Sequence, residues 1–271
     1  MNYRHAGTFF FLCFFALLAR QSLAFGHGEA PVAAAASAAH THGFGFYAPL
    51  FQEKPTPCDA FHLNYEFTRN ESSDHGHDGE GEADMHRVTL SLAHSFADWI
   101  GVELAAPWIV EERSDETEQR AGDIHASIRA AGFLAGPIVH GIGIGLGIPV
   151  EEDGHTHVEP CYALGYPGRL FQAALTLYME IPLENDEGCR AAGSAAYAVI
   201  RAAGWLHLIA EISAERTLSG DDEGEWRADV AAGFRVFPFG GSDASIAFGV
   251  KAPLAGDHYD WSTLVALMYH I

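Results

Sequence analysis

Basic residues are scarce in this chain of 271 residues: 15 Lys and Arg stand against 36 Asp and Glu, a formal charge of −21 with histidine neutral. Nucleic-acid backbones are gripped by clustered Lys and Arg, so this balance excludes a nucleic-acid binder working through a basic surface. Cysteine is sparse too, with four in all. Cys13 falls in the N-terminal apolar run. The remaining Cys58, Cys161 and Cys189 are odd in number and lack metal-type spacing, which argues against a disulfide framework and leaves room for one pair, such as Cys161 with Cys189. Also missing, past the leader, is an apolar run of the ~20 residues that a membrane-spanning helix needs. The uncharged stretch from Ala130 to Val150 contains Pro137 and Pro149, and Gly141, Gly143, Gly145 and Gly147 fall at every second place within it. Glycine weakens a helix by ~1 kcal/mol per residue, whereas a period of two belongs to a strand. What the chain does have is apolar material: 48% hydrophobic and 12% aromatic residues, too much for a disordered acidic chain. It must be buried in a core or turned toward a membrane.

The start of the chain reads as a secretory signal peptide over residues 1–24. Arg4 and His5 precede the uncharged run Thr8 to Ala19, and Ser22-Leu23-Ala24 supplies a small-residue cleavage site. Residues 25–60 read as a flexible arm, with an alanine-rich stretch around Ala33 to Ala39, His27, His40 and His42, and then Pro55 and Pro57. Residues 61–271 have a different pattern that persists to the end.

There, apolar residues alternate with polar ones in segment after segment. Phe61, Leu63, Tyr65 and Phe67 share one face; Val88, Leu90 and Leu92 another; then Ile100 to Ala106 and Ile124 to Ile128. Ile142 to Ile148 has glycine on its other face, Tyr162 to Tyr166 is weaker, and Phe171 to Ile181 is the clearest long strand. Tyr197 to Arg201 is ambiguous in phase because alanine suits either face. Leu206 to Ile212, Trp226 to Val236, Ile246 to Val250 and Trp261 to Ile271 complete the set. This makes about twelve segments, each near the ~9–11 residues of a tilted transmembrane strand.

Alternation alone also suits a soluble sandwich, so three further features decide. Long connections, such as Asn70 to Asp84 and Glu111 to Gly122, alternate with short ones such as Ala97-Asp98 and Pro167-Gly168-Arg169, the asymmetry of outer-membrane barrels. Trp108, Trp226 and Trp261 lie at segment ends beside long connections, while Trp99 and Trp205 lie beside short ones, where two interfacial girdles would run. The last segment, with Leu267, Tyr269 and Ile271 on its apolar face, resembles the C-terminal sorting strand of such barrels, though without a terminal Phe. A bilayer admits only helices and closed barrels. The expected fold class is therefore all-β: a transmembrane antiparallel β-barrel of about twelve strands in the bacterial outer membrane.

Three short motifs carry a family resemblance over roughly Phe61 to Ile271. Gly122-Asp123-Ile124 opens a strand, Gly143 to Pro149 leads into a long loop, and Phe248-Gly249-Val250-Lys251-Ala252-Pro253-Leu254 precedes the closing strand. In these the chain resembles the "transporter" family of outer-membrane proteins linked to the MetA pathway of phenol degradation. The resemblance implies a β-barrel and the passage of small compounds, and it carries no catalytic residues.

The polar faces assign a pore lining: Glu66, Glu103, Glu180, Glu211, Glu215 and Asp229 against Arg87, Arg129, Arg227, Arg235 and Lys251, close to charge balance. In a narrow barrel these charges either pair and plug the lumen or form a weakly selective constriction. The glycine face of Gly141 to Gly147 would open a path beside one wall, or relieve crowding where the barrel bends. His75 and His77 in one acidic loop, and His155 and His157 after Glu151-Glu152-Asp153, offer donors suited to Zn²⁺, Cu²⁺ or Ni²⁺. His125-Ala126-Ser127 has the His-x-Ser spacing of barrel phospholipases, but its phase points to the lumen and no Asn follows to orient the histidine. The expected function is thus non-enzymatic, a channel for diffusion of small solutes that needs no cofactor. The alternative is a surface barrel that concentrates divalent metal ions. Outer-membrane lipid and small solutes or cations are the expected partners. Nearly all of the charge of −21 falls in the long connections, so an acidic, His-containing rim is expected at the cell-facing end.

Overall fold

The computed structural model describes residues 56, 58–71, 83–113, 117–150, 155–183, 191–219, 223–238, 243–256 and 259–271. The signal peptide, nearly all of the arm, and His75 and His77 lie outside the described residues.

The alternating segments form antiparallel strands: β1 (Ala60–Glu71), β2 (Ala83–Ala97), β3 (Ile100–Glu112), β4 (Thr117–Ala121), β5 (Ile124–Ala135), β6 (Ile138–Ile148) and β7 (His157–Pro167). They continue as β8 (Phe171–Pro182), β9 (Ala191–Ala203), β10 (Leu206–Thr217), β11 (Trp226–Val236), β12 (Ala244–Ala255) and β13 (Trp261–His270). Except at β4, where β3 pairs with both β4 and β5, each strand pairs with its sequence neighbours, and β1 pairs with β13 from Ala60↔His270 to Arg69↔Trp261, so the sheet closes on itself. The result is a barrel with twelve strand positions and one additional strand.

That additional strand corrects the sequence reading of Glu111 to Gly122 as a loop. Glu111 and Glu112 belong to β3, and β4 pairs with the outer half of β3, from Trp108↔Ala121 to Glu112↔Thr117, while β5 pairs with its inner half, Ile100 to Ala105. β4 and β5 are therefore one strand position, interrupted at Gly122-Asp123. The interruption faces Pro107, which has no N–H for the ladder; its carbonyl instead accepts from the Gly122 N–H at 2.9 Å. Thr117, Glu118, Gln119 and Arg120 make β4 polar on both faces, so the strand has no period-two signal in the sequence.

Alternation puts the apolar residues outside. Leu92, Leu104, Ile212 and Val250 project from the outer surface with about half their area exposed, at 50%, 50%, 50% and 54%. Such a continuous band suits lipid and would be a liability in water. All five tryptophans are on this surface as well, with Trp226 under the Arg216 guanidinium at 5.7 Å. The phase of β9 is now settled: Tyr197 and Val199 point in and are buried, and Ile200 points out. Short turns such as Asp98-Trp99, Gly136-Pro137 and Gly204-Trp205 close one end. Gly136 has φ +54°, a left-handed conformation that glycine adopts without steric cost.

Candidate functional site: the barrel lumen

Inward-facing residues sort into two zones. Toward the short-turn end, Val139, Ala174, Tyr197, Val199, Ile209, Ala247, Leu264 and Ala266 form one buried apolar cluster. Polar groups are buried at the same level. His207 is 2% exposed and lies 4.7 Å from the Phe237 ring, and Arg235 donates to Ser245 Oγ at 3.0 Å. Toward the long connections, polar side chains line a cavity of about 330 Å³.

The cavity's charges are organised by a few anchored side chains. Glu66 Oε1 accepts from Lys251 Nζ at 3.0 Å and from Ser262 Oγ at 2.8 Å, and Arg87 lies 3.9 Å from Oε2. Lys251 also lies 5.4 Å above the ring of Tyr259, whose hydroxyl donates to Asp229 at 2.6 Å. Tyr259 comes from the connection between β12 and β13 and is itself buried, so this connection is tied into the lumen. Across the barrel, Arg129 lies 3.7 Å from Glu103, and Tyr178 donates to Glu215 at 3.0 Å.

Of the residues read as pore-lining, Glu103, Arg129, Glu211, Asp229 and Lys251 border the cavity, Glu66 joins them through Lys251, and Arg87 through Glu66. Glu180 and Arg227 share the inward faces of β8 and β11 by alternation. Arg235 sits instead in the buried zone. The near balance of charge in the sequence is therefore not the balance around the cavity, where Glu103, Glu159, Glu211 and Asp229 face one Arg and one Lys. Outside the lumen rim, Arg113 and Arg120 both bind Glu111, at 3.4 and 2.8 Å.

The glycine face of β6 does point inward, but it opens no path, because neighbouring side chains fill the space. A Cβ on Gly143 would come 2.7 Å from Cys161 Sγ, one on Gly145 3.2 Å from Glu159, and one on Gly147 would overlap the His157 ring. Cys189, suggested as a partner for Cys161, lies outside the described residues, and Cys58 is a free thiol.

Of the four candidate metal-ligating histidines, His155 and His157 lie among the described residues. His155 is exposed and meets His157 only through its carbonyl, at 3.3 Å from Nδ1. His157 turns inward to Glu159, with Nε2 3.2 Å from Oε1, and His125 Nδ1 lies 3.9 Å from Glu159 Oε2. His125 is thus engaged with Glu159, and Ser127 lies on the same inward face. Glu159 is not among the candidate ligands that the sequence offers. Its only sequence signal was the His157-x-Glu159 spacing, which places both side chains on one face of a strand.

The comparisons with solved structures fit this geometry. An outer membrane channel from Pseudomonas putida F1 superposes with a TM-score of 0.62 at 9% identity, covering 82% of this chain and 98% of that one. This chain has the outer-membrane β-barrel fold. The NanC porin, with a TM-score of 0.57 at 8% identity, covers 78% of this barrel chain and 100% of its own. The KdgM porin, at 0.55 and 8%, covers 78% and 99%. At such identities the likeness is one of fold. No family model and no curated relative matches the barrel's sequence, so membership of the phenol-degradation "transporter" family is not shown.

Proposed function

We propose that the chain is a bacterial outer-membrane channel through which small polar solutes diffuse, with cations favoured over anions. The observation that carries this reading is the acidic, polar cavity enclosed by a wall whose outer face is apolar. Water and ions have no other reason to be accommodated inside a lipid-facing cylinder, and excess carboxylates in a narrow, low-dielectric space raise the local cation concentration. The buried zone around Tyr197, Val199 and His207 is the constriction, so currents are small and depend on rearrangement of those side chains. The acidic connections add an attractive rim, effective over a Debye length of ~8 Å at physiological salt.

Refolded protein in planar bilayers under a KCl gradient tests this. Discrete openings with a reversal potential displaced toward that of K⁺ are expected. Silence at every voltage overturns the channel reading, and displacement toward Cl⁻ overturns its selectivity.

A further inference from the structure

Three strands contribute to a single row across the lumen wall. In the register of β5, β6 and β7, His125 pairs with Gly147 and Gly147 with His157. Strand neighbours are ~4.8 Å apart, so the two histidines start roughly two spacings from each other. They nevertheless approach to 5.7 Å between ring centroids. Gly147 makes this approach achievable: it leaves the space that the His157 ring occupies, and any Cβ there would overlap it. Two residues along, on the same face, Gly145 lies under Glu159 in the same way.

We propose that His125, His157 and Glu159 form a binding site for a divalent transition-metal ion, of the Zn²⁺, Cu²⁺ or Ni²⁺ class, inside the lumen. One donor atom from each of the three lies within 4.8 Å of the others. Two donors each ~2.0–2.1 Å from a tetrahedral ion are about 3.3 Å apart, and His157 Nε2 and Glu159 Oε1 already stand at 3.2 Å. The His125 donor, within 4.8 Å of the other two, closes the third side by a ring movement on the order of 1 Å. His157 Nδ1 lies 3.3 Å from the His155 carbonyl. This is the outer-shell hydrogen bond that fixes a metal-binding imidazole with Nε2 toward the ion. Without metal, a proton between Nε2 and the carboxylate holds that pair together; the ion replaces it and the proton is released. Two imidazoles and a carboxylate leave the fourth position to water or to a passing anionic solute.

The site stands independently of conduction, so its test does not use current. Zn²⁺ chloride is titrated calorimetrically into the folded full-length barrel in detergent, with folding verified by its heat-dependent gel shift. One saturable equivalent is expected. His125→Ala and His157→Ala should each lower its affinity at least tenfold, and so should Gly147→Ala, which removes no ligand. A His75→Ala, His77→Ala and His155→Ala triple variant should keep it. If His157→Ala does not fold, the half-exposed His125 supplies the decisive variant. Unchanged Zn²⁺ binding in His125→Ala, or loss only in the triple variant, overturns the proposal.

Discussion

Glu66 shows how single residues hold the lumen together. It gathers Lys251, Ser262 and Arg87 from three other strands, and its side chain is largely enclosed. Removing it takes one acceptor from the Lys251 ammonium and one from the Ser262 hydroxyl. Glu66→Ala should therefore destabilise the barrel by about 1–3 kcal/mol, measured as a lowered urea midpoint for loss of the folded gel band; no change would show the pairing to be incidental. That Glu66, Arg87 and Lys251 face inward was legible in the sequence, because strand alternation assigns faces one residue at a time. Which partner each would meet was not. Glu66 and Lys251 are far apart in the chain and are brought together by closure of β1 onto β13 and β12, and His125 meets His157 only through the register of β6. Cross-strand register is a property of several segments at once, so no one segment announces it.

Strands with one lipid-facing side were readable wherever that side was aliphatic or aromatic. Those that failed did so for physical reasons. In β9 alanine fitted either face, and the phase emerged only from Tyr197 and Val199 packing inward. β4 lies beyond Trp108, the outward tryptophan of β3 that it pairs at its inner end, and its polar residues meet no lipid, so it lacked the hydrophobic period altogether. The joint between β4 and β5 is nonetheless tight. A Cβ on Gly122 would stand 2.9 Å from Pro107 Cγ and 3.0 Å from Ile109 Cδ1. Gly122→Val should cost about 1–3 kcal/mol from overpacking, read from the same urea titration, and Pro107→Ala in the same chain should recover part of it. Equal stability of Gly122→Val and wild type would mean that the joint yields freely.

For the molecule as a whole, the sequence carried the architecture because lipid imposes one rule on every strand: apolar outside, with all backbone groups paired. This rule yields a sharp contrast with a soluble protein. Ile212, half exposed on the outer surface, could become Arg in water within about ±0.5 kcal/mol. In a bilayer the same Ile212→Arg change should cost about 2–4 kcal/mol near the midplane, measured by folding into lipid vesicles; a neutral result would place that face in water. The interior was less legible, since the sequence showed near-balanced inward charge, whereas packing withdraws Arg235 from the cavity and leaves carboxylates in excess. The most direct test of the whole account is thus the reversal potential of the refolded barrel in a planar bilayer under a KCl gradient. A cation-favouring channel gives openings that reverse toward the K⁺ potential and lose part of that bias in Asp229→Asn; no openings, or reversal toward Cl⁻, would contradict it.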